Sequence, residues 1–97
     1  MNKPPKNLPT KVTIAGQVVR VRKGKLDAYG QYEHDDRTIW ISDAIREKKV
    51  EWETLRHEMI EASLLISGVG WLERYQQEAV VRCMEEIFFP AWEAIRP

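Results

Sequence analysis

The sequence has little cysteine, no long apolar run and no excess of charge of either sign. Its single cysteine, Cys83, excludes an intramolecular disulfide, so nothing in the sequence favours an oxidising compartment. The sequence contains no run of about 18 apolar residues, so no transmembrane helix is predicted. The basic N-terminus lacks the apolar segment of a secretory signal. We therefore expect a cytoplasmic protein without a membrane partner.

The charge balance disfavours a general nucleic-acid-binding surface. Fifteen basic and fifteen acidic residues give a formal net charge of +0, whereas such a surface needs a basic excess to replace phosphate counterions. The clusters at 20–25 and 48–49 contain no interleaved aromatic residues, which favours a solvated strand face and a helix start. A nucleic-acid binder that uses the basic N-terminal arm is therefore the least favoured class of function.

The remaining composition is that of one small folded domain. The chain has 97 residues, of which 43% are hydrophobic and 31% charged. Residues 1–11 contain three prolines and little to bury, which predicts a flexible arm, and residues 12–97 are predicted to form a single domain. Cys83 lies among apolar residues and is interpreted as a small buried hydrophobe.

The first half of the chain has the pattern of strands. Residues 12–22 alternate apolar and polar around Ala15-Gly16, which predicts a hairpin or one bent strand. Short strands are predicted at 29–32 and 38–41, joined by a polar hairpin loop. His34 in that loop is interpreted as a solvated turn residue rather than a metal ligand.

The second half has the pattern of helices. Ser42 or Asp43 is a suitable N-cap for a short helix. Residues 50–67 then predict the main helix, and residues 73–88 a second helix that Pro90 interrupts. The predicted fold class is α+β, in which a small twisted antiparallel sheet is followed by an active-site-type helix and a second, C-terminal helix.

The apolar residues of the main helix share one broad face at 100° per residue: Trp52, Leu55, Met59, Ala62 and Ile66. We expect this face to pack on the core, and we also expect Trp40 and Trp52 to be buried because they supply large apolar area. Phe89 and Trp92 are predicted to be exposed, where they would suit a homodimer or a partner contact.

Three polar residues interrupt this helix pattern. His57 and Glu61 are four apart and project together, and Glu58 borders the same surface. In an HExxH helix, two imidazoles bind one zinc ion and the intervening glutamate accepts a proton from the attacking water. Here Glu61 replaces the second histidine; a carboxylate still ligates zinc but broadens the choice of metal. A hydrogen-bonded His/Glu pair on a wet helix face explains the same string.

Three segments carry a resemblance to a known family: YGQYEHDDRTIWIS, TLRHEMIEA and QEAVVRCMEEIFF. They look like a G-x-Y, turn, I-x-I strand segment, a T-L-x-H-E-x-x-H/E-A helix, and an acidic residue followed by V-V and an amphipathic helix. Over residues 12–90 the chain resembles the compact zincin-like metallopeptidase domains of the ImmA/IrrE type. It resembles most closely their phage and prophage relatives of roughly a hundred residues.

The resemblance implies a role for each polar residue of the helix. His57 and Glu61 would ligate a metal, most simply zinc, and Glu58 would act as general base. Glu78 on the second helix would supply a third ligand. The rivals for that third position are Glu73 and Glu85. Another divalent metal, or no metal, remains compatible with the sequence.

The resemblance also implies a substrate and a location for it. The strand around Ile39–Ile41 would offer its edge to an extended peptide, which would bind by strand addition. We therefore expect a metal-dependent hydrolase-like phage protein, and the replacement by Glu61 leaves its catalytic activity open. The alternative is a catalytically inactive protein of the same fold that regulates a host or phage protein by binding it.

Overall fold

The computed structural model of the protein describes residues 7–67 and 73–95. Within these ranges, a four-stranded sheet precedes the helices. The strands are β1 (Lys11–Ile14), β2 (Gln17–Gly24), β3 (Gly30–Glu33) and β4 (Thr38–Ser42). The helices are α1 (Lys48–Ile66), α2 (Arg74–Cys83), a π-helical segment (Met84–Phe88) and α3 (Phe89–Ile95). The predicted α+β fold class is confirmed.

Of the two structures predicted for residues 12–22, a hairpin or one bent strand, the hairpin is present. A two-residue turn joins β1 and β2, which pair antiparallel with Val12 opposite Val19. Ala15 has a φ of 50° and Gly16 a φ of 78°, and positive φ at both central residues is the geometry that matches the twist of a hairpin. The period-2 pattern therefore places Val19 and Val21 of β2 on the core face of the sheet and Val18 on the opposite face.

The sheet is mixed rather than antiparallel throughout. Its order is β1-β2-β4-β3, and β2 pairs with β4 in parallel, with Val21 opposite Ile39. β4 lies between β2 and β3 because four of its five residues are buried, and a strand buried on both sides belongs in the centre of a sheet. The expectation that the strand at Ile39–Ile41 offers a free edge is therefore wrong. β1 and β3 are the two edge strands of the described sheet.

The core lies between one face of the sheet and α1. Its buried members are Val19, Val21, Ile39, Ile41 and Leu55. Leu8 packs against this cluster, and the Thr10 carbonyl accepts a hydrogen bond from the Val21 amide at 2.9 Å. The described end of the predicted flexible arm thus contacts the domain, while residues 1–6 of that arm lie outside the described residues.

Three predictions about burial are wrong. Trp52 is 38% exposed because it lies on the flank of α1 rather than over the sheet. Trp40 is half-buried, and because it alternates with Ile39 and Ile41 it lies on the sheet face opposite the core. Cys83, at the end of α2, is exposed. Trp92 is 47% exposed, as predicted.

Two helix boundaries also differ from the prediction. No helix begins at Ser42 or Asp43; the Ser42 hydroxyl instead accepts a hydrogen bond from the Ala44 amide at 3.2 Å, and α1 starts at Lys48. Pro90, which was expected to interrupt the second helix, instead lies in the first turn of α3. A proline is accommodated there because its missing N–H is not needed in the first turn of a helix. In the described ranges, no helix combines the length and apolarity that crossing a bilayer requires.

Candidate metal centre

Helix α1 brings together the three polar residues that its sequence pattern singled out. The His57 Nε2 atom lies 3.4 Å from Glu61 Oε2, as expected for side chains one helical turn apart. One ligand atom each from His57, Glu58 and Glu61 lie within 4.8 Å of one another. The predicted pair and the predicted base therefore form one cluster.

The other nitrogen of the imidazole is held by the C-terminal part of the chain. His57 Nδ1 lies 2.8 Å from Glu85 Oε1, at hydrogen-bond distance. Glu85 belongs to the π-helical segment, a wider turn that is frequent at functional sites. A carboxylate at Nδ1 fixes the tautomer in which Nδ1 carries the proton, and it leaves the unprotonated Nε2, on the side of Glu61, available to bind a metal ion.

These side chains face a cavity of about 460 Å³. It lies between α1, α2, the π-helical segment and the N-terminal end of β3. Its lining comprises Gly30, His57, Glu58, Glu61, Glu78, Arg82, Glu85 and Glu86. Five carboxyl groups thus share a small volume with one guanidinium, which makes the cavity a place where a cation would be stabilised.

The three candidates for a third ligand lie in different places. Glu78 lines the cavity but is not among the three groups that converge within 4.8 Å. Glu85 contacts the imidazole directly, at Nδ1. Glu73 is exposed at the N-cap of α2, where its backbone amide donates a hydrogen bond to the Gln76 side chain at 3.0 Å. Glu73 does not line the cavity.

Glu58 is the most buried carboxyl group of the cluster. Its side chain is 5% exposed, and its Oε1 atom has no hydrogen-bond partner among the described residues. Burial, as the largest cause, together with the Glu61 charge, a hydrogen bond to Glu61 and the Glu85 charge, raises the pKa of Glu58 to about 9. Without a cation nearby, this carboxyl group therefore keeps its proton at neutral pH.

Gly30 allows the edge strand β3 to approach this part of α1. A Cβ atom at Gly30 would lie 2.7 Å from Thr54 Cγ2 and 3.0 Å from Glu58 Cγ. Both distances are shorter than ordinary contacts between carbon atoms. The absence of a side chain at Gly30 therefore lets β3 pack closely against α1 and form one wall of the cavity.

The side chains around the cavity fit a divalent metal ion. They combine one imidazole with several carboxylates, a donor set that suits zinc and other first-row metals. A cation would neutralise the repulsion among the glutamates and give the unpartnered Glu58 oxygen a favourable neighbour. These observations make the cluster a candidate metal centre.

Sequence reasoning did not single out Arg82, Glu86 or Gly30 as parts of this site. A signal for two of them was present, because Glu78, Arg82 and Glu86 recur every four residues and therefore share one helical face. The close approach of Gly30 depends on β3 lying at the edge of the sheet, which the local pattern does not predict. No protein-family model, no curated protein and no solved structure matches this chain.

Proposed function

We propose that this protein is a metal-dependent hydrolase, most simply a zinc peptidase that resembles the zincin-like domains of phages and prophages. The observation that carries the proposal is the convergence of His57, Glu58 and Glu61 within 4.8 Å beside a buried, unpartnered carboxyl oxygen. We place the activity in the cytoplasm, that of the host cell if the chain is phage-encoded.

Each side chain of the centre receives a separate task. His57 Nε2 and Glu61 would hold the metal, with Glu78 as the third ligand from the facing helix. Glu85 is a positioning residue that orients the imidazole from Nδ1. Glu58 is assigned to proton transfer because its buried carboxyl group faces the same cavity. A bound metal would supply Lewis acidity toward the scissile carbonyl group.

The edge of β3 supports a peptide as the substrate. The Ser42 amide donates to the Tyr29 carbonyl at 2.7 Å, so the alternation of an antiparallel pair turns the amides and carbonyls of Gly30 and Tyr32 away from β4. No strand covers that side of β3 in the described ranges. An extended peptide added there would pass Gly30, which also lines the cavity.

The test is metal content followed by activity. We expect one equivalent of zinc or another divalent metal in the purified wild-type protein by elemental analysis, and its loss in both His57→Ala and Glu61→Ala. The Glu58→Gln variant should retain the metal and lose hydrolysis of a quenched fluorescent peptide library. Wild-type protein that binds no divalent metal would overturn the enzymatic proposal.

A second candidate function rests on the other side of α1. An apolar groove of about 720 Å³ there is lined by Trp52, Met59 and Phe89, and Lys49 and Arg56 border it. Its apolar floor, with Glu53 beside the two cations at the rim, would fit an amphipathic helix that carries both acidic and basic residues beside its apolar stripe. This groove supports the alternative of a catalytically inactive protein that regulates a host or phage partner.

Metal removal separates the two candidates. A regulatory partner should bind metal-stripped protein and Glu58→Gln as tightly as wild type, by calorimetry with the purified partner. Trp52→Lys, which adds a charge at an exposed position of the groove, should weaken that binding at least tenfold. A partner lost on metal removal alone would count against the groove.

A further inference from the structure

The sheet face opposite α1 carries a set of cationic and aromatic side chains that neither proposed function uses. We call this surface the open sheet face and define it by Lys11, Val18, Arg20, Arg22 and Trp40. Their neighbours along the strands, such as Val19 and Ile39, are buried in the core, so these five residues point the other way. Val18 is 54% exposed, and both arginines are exposed.

Strand register places these side chains directly beside one another. Arg22 lies opposite Trp40 in the parallel pair of β2 and β4, and Lys11 lies opposite Arg20 in the hairpin. Side chains opposite one another on the same face of a sheet are close enough to act on one ligand. The interleaving of cations with an aromatic ring, which the linear sequence lacks, is thus produced by pairing between distant strands.

The indole ring of Trp40 has space only because its neighbour is glycine. A Cβ atom at Gly24 would lie 3.1 Å from Trp40 Cζ3 and 3.2 Å from Cε3. Two shallow concavities of about 580 and 720 Å³ adjoin the ring, and both are lined by Val18, Arg20, Arg22 and Trp40. The larger one is also lined by Asp35, Asp36 and Arg37. The ring therefore forms part of a surface with room for a ligand on both sides.

The arginines and the lysine of this face are not held in ion pairs. Lys23, which points to the core side, pairs with Glu51 at 2.5 Å, whereas Arg20, Arg22 and Lys11 form no ion pair within the ranges that the structure describes. Meanwhile five glutamates are gathered around the cavity beside α1. On and beside the open sheet face, four cations (Lys11, Arg20, Arg22 and Arg37) outnumber three carboxylates (Glu33, Asp35 and Asp36). The net charge of +0 therefore does not describe the local field of this face.

We propose that the open sheet face binds single-stranded nucleic acid. The guanidinium groups and the Lys11 ammonium group would neutralise phosphates, and an unpaired base would stack on Trp40. A sheet offers a flat surface on which unpaired bases can stack, and it has no element that would enter a groove of a duplex. We therefore expect single strands to bind more tightly than duplexes. The site is independent of the metal centre and does not rest on the hydrolase proposal.

The test measures fluorescence anisotropy of a labelled oligothymidylate of about 20 nucleotides with the full-length protein. We expect binding whose logarithm falls with the logarithm of salt concentration with a slope of about −2, for roughly three neutralised phosphates. Arg20→Gln/Arg22→Gln should weaken binding at least tenfold and bring the slope closer to zero by about 1.4. The matched control, Arg46→Gln/Lys48→Gln, removes two exposed cations elsewhere and should bind like wild type.

Stacking is tested by two substitutions at one position. Trp40→Leu should weaken binding roughly tenfold, while Trp40→Tyr should restore most of the affinity, because a tyrosine ring also stacks on bases. Thermal melts identify a Trp40 variant that fails to fold. In that case the Arg20→Gln/Arg22→Gln variant still tests the proposal. Equal affinity for polyglutamate, equal binding by the tyrosine and leucine variants, or weakening by the control pair equal to that of Arg20→Gln/Arg22→Gln would overturn the proposal.

Discussion

At the scale of single residues, protonation of the Glu58 side chain makes the free energy of unfolding depend on pH. An unfolded chain releases this proton near pH 4.5, whereas burial and neighbouring glutamates raise the pKa of Glu58 to about 9 in the folded protein. Between these values the folded state binds one more proton than the unfolded state. The contribution of Glu58 is therefore fully present below pH 4.5 and is lost as the pH rises toward 9.

Glu58→Gln should remove this dependence in metal-free protein, because the amide is neutral at every pH in that window. We expect the melting temperatures of wild type and variant to be closest near pH 5 and to diverge toward pH 8.5, with the variant higher. Calorimetric melts in the presence of a chelator measure this, and Glu53→Gln, at an exposed position of the same helix, is the matched control. Parallel pH profiles for wild type and Glu58→Gln would contradict the assignment.

A second residue-scale prediction concerns the close approach at Gly30. Gly30→Ala should destabilise the protein by about 1–3 kcal/mol, because the new methyl group would overlap Thr54 Cγ2 and crowd Glu58. Thr54→Ser removes that methyl group but keeps the hydroxyl that donates to the Val50 carbonyl at 2.7 Å. Urea unfolding of the double mutant should therefore recover part of the loss, and strictly additive effects would count against the contact.

The spacing of residues in the sequence predicted the His57/Glu61 pair of the metal centre, but it did not predict which side chains around that pair are buried. The i,i+4 relation of His57 and Glu61 is a property of any helix, so one face of α1 was enough to predict it. The burial of Glu58 depends on β3, and the exposure of Trp52 depends on which flank of α1 the sheet covers. Such distinctions arise from packing between distant segments.

At the scale of elements, the π-helical segment links the C-terminal helices to the imidazole on α1. Glu85→Gln should reduce metal affinity about 10- to 100-fold, because the carboxylate that orients His57 through Nδ1 is lost. Glu86→Gln is the matched control, since it removes the same charge from the same cavity without touching the imidazole. Competition titration with a zinc-binding dye gives both affinities; equal losses would reduce Glu85 to a general electrostatic role.

Strands and helices were predicted where local pattern and turn chemistry agree. The alternation around Ala15-Gly16 specified the first hairpin, and the apolar period of residues 50–67 specified α1. The insertion of β4 between β2 and β3 was missed, because the hairpin loop determines only which strands are neighbours along the chain. The π-helical turn was missed because its residues have the same apolar period as an ordinary helix.

At the scale of the whole molecule, metal binding should stabilise the fold, because the ligands come from α1 and, with Glu78, from α2. Free zinc at about a hundred times its dissociation constant adds about 2.7 kcal/mol of stability. For a domain of this size that corresponds to a rise in melting temperature of roughly 10–20 °C. Differential scanning fluorimetry at increasing zinc should show this rise in wild type and none in His57→Ala/Glu61→Ala. An equal rise in both would assign the effect to another site.

The parallel pairing of β2 with β4 has a consequence for how the chain reaches this structure. Each hairpin closes locally within microseconds, but Val21 meets Ile39 only when β4 pairs with β2 across the segment of the chain that contains β3. That long-range closure carries the loop entropy of the fold and should limit the refolding rate. Joining the two strands completes both the core beneath α1 and the row that sets Arg22 beside Trp40, so one slow event creates both faces of the sheet.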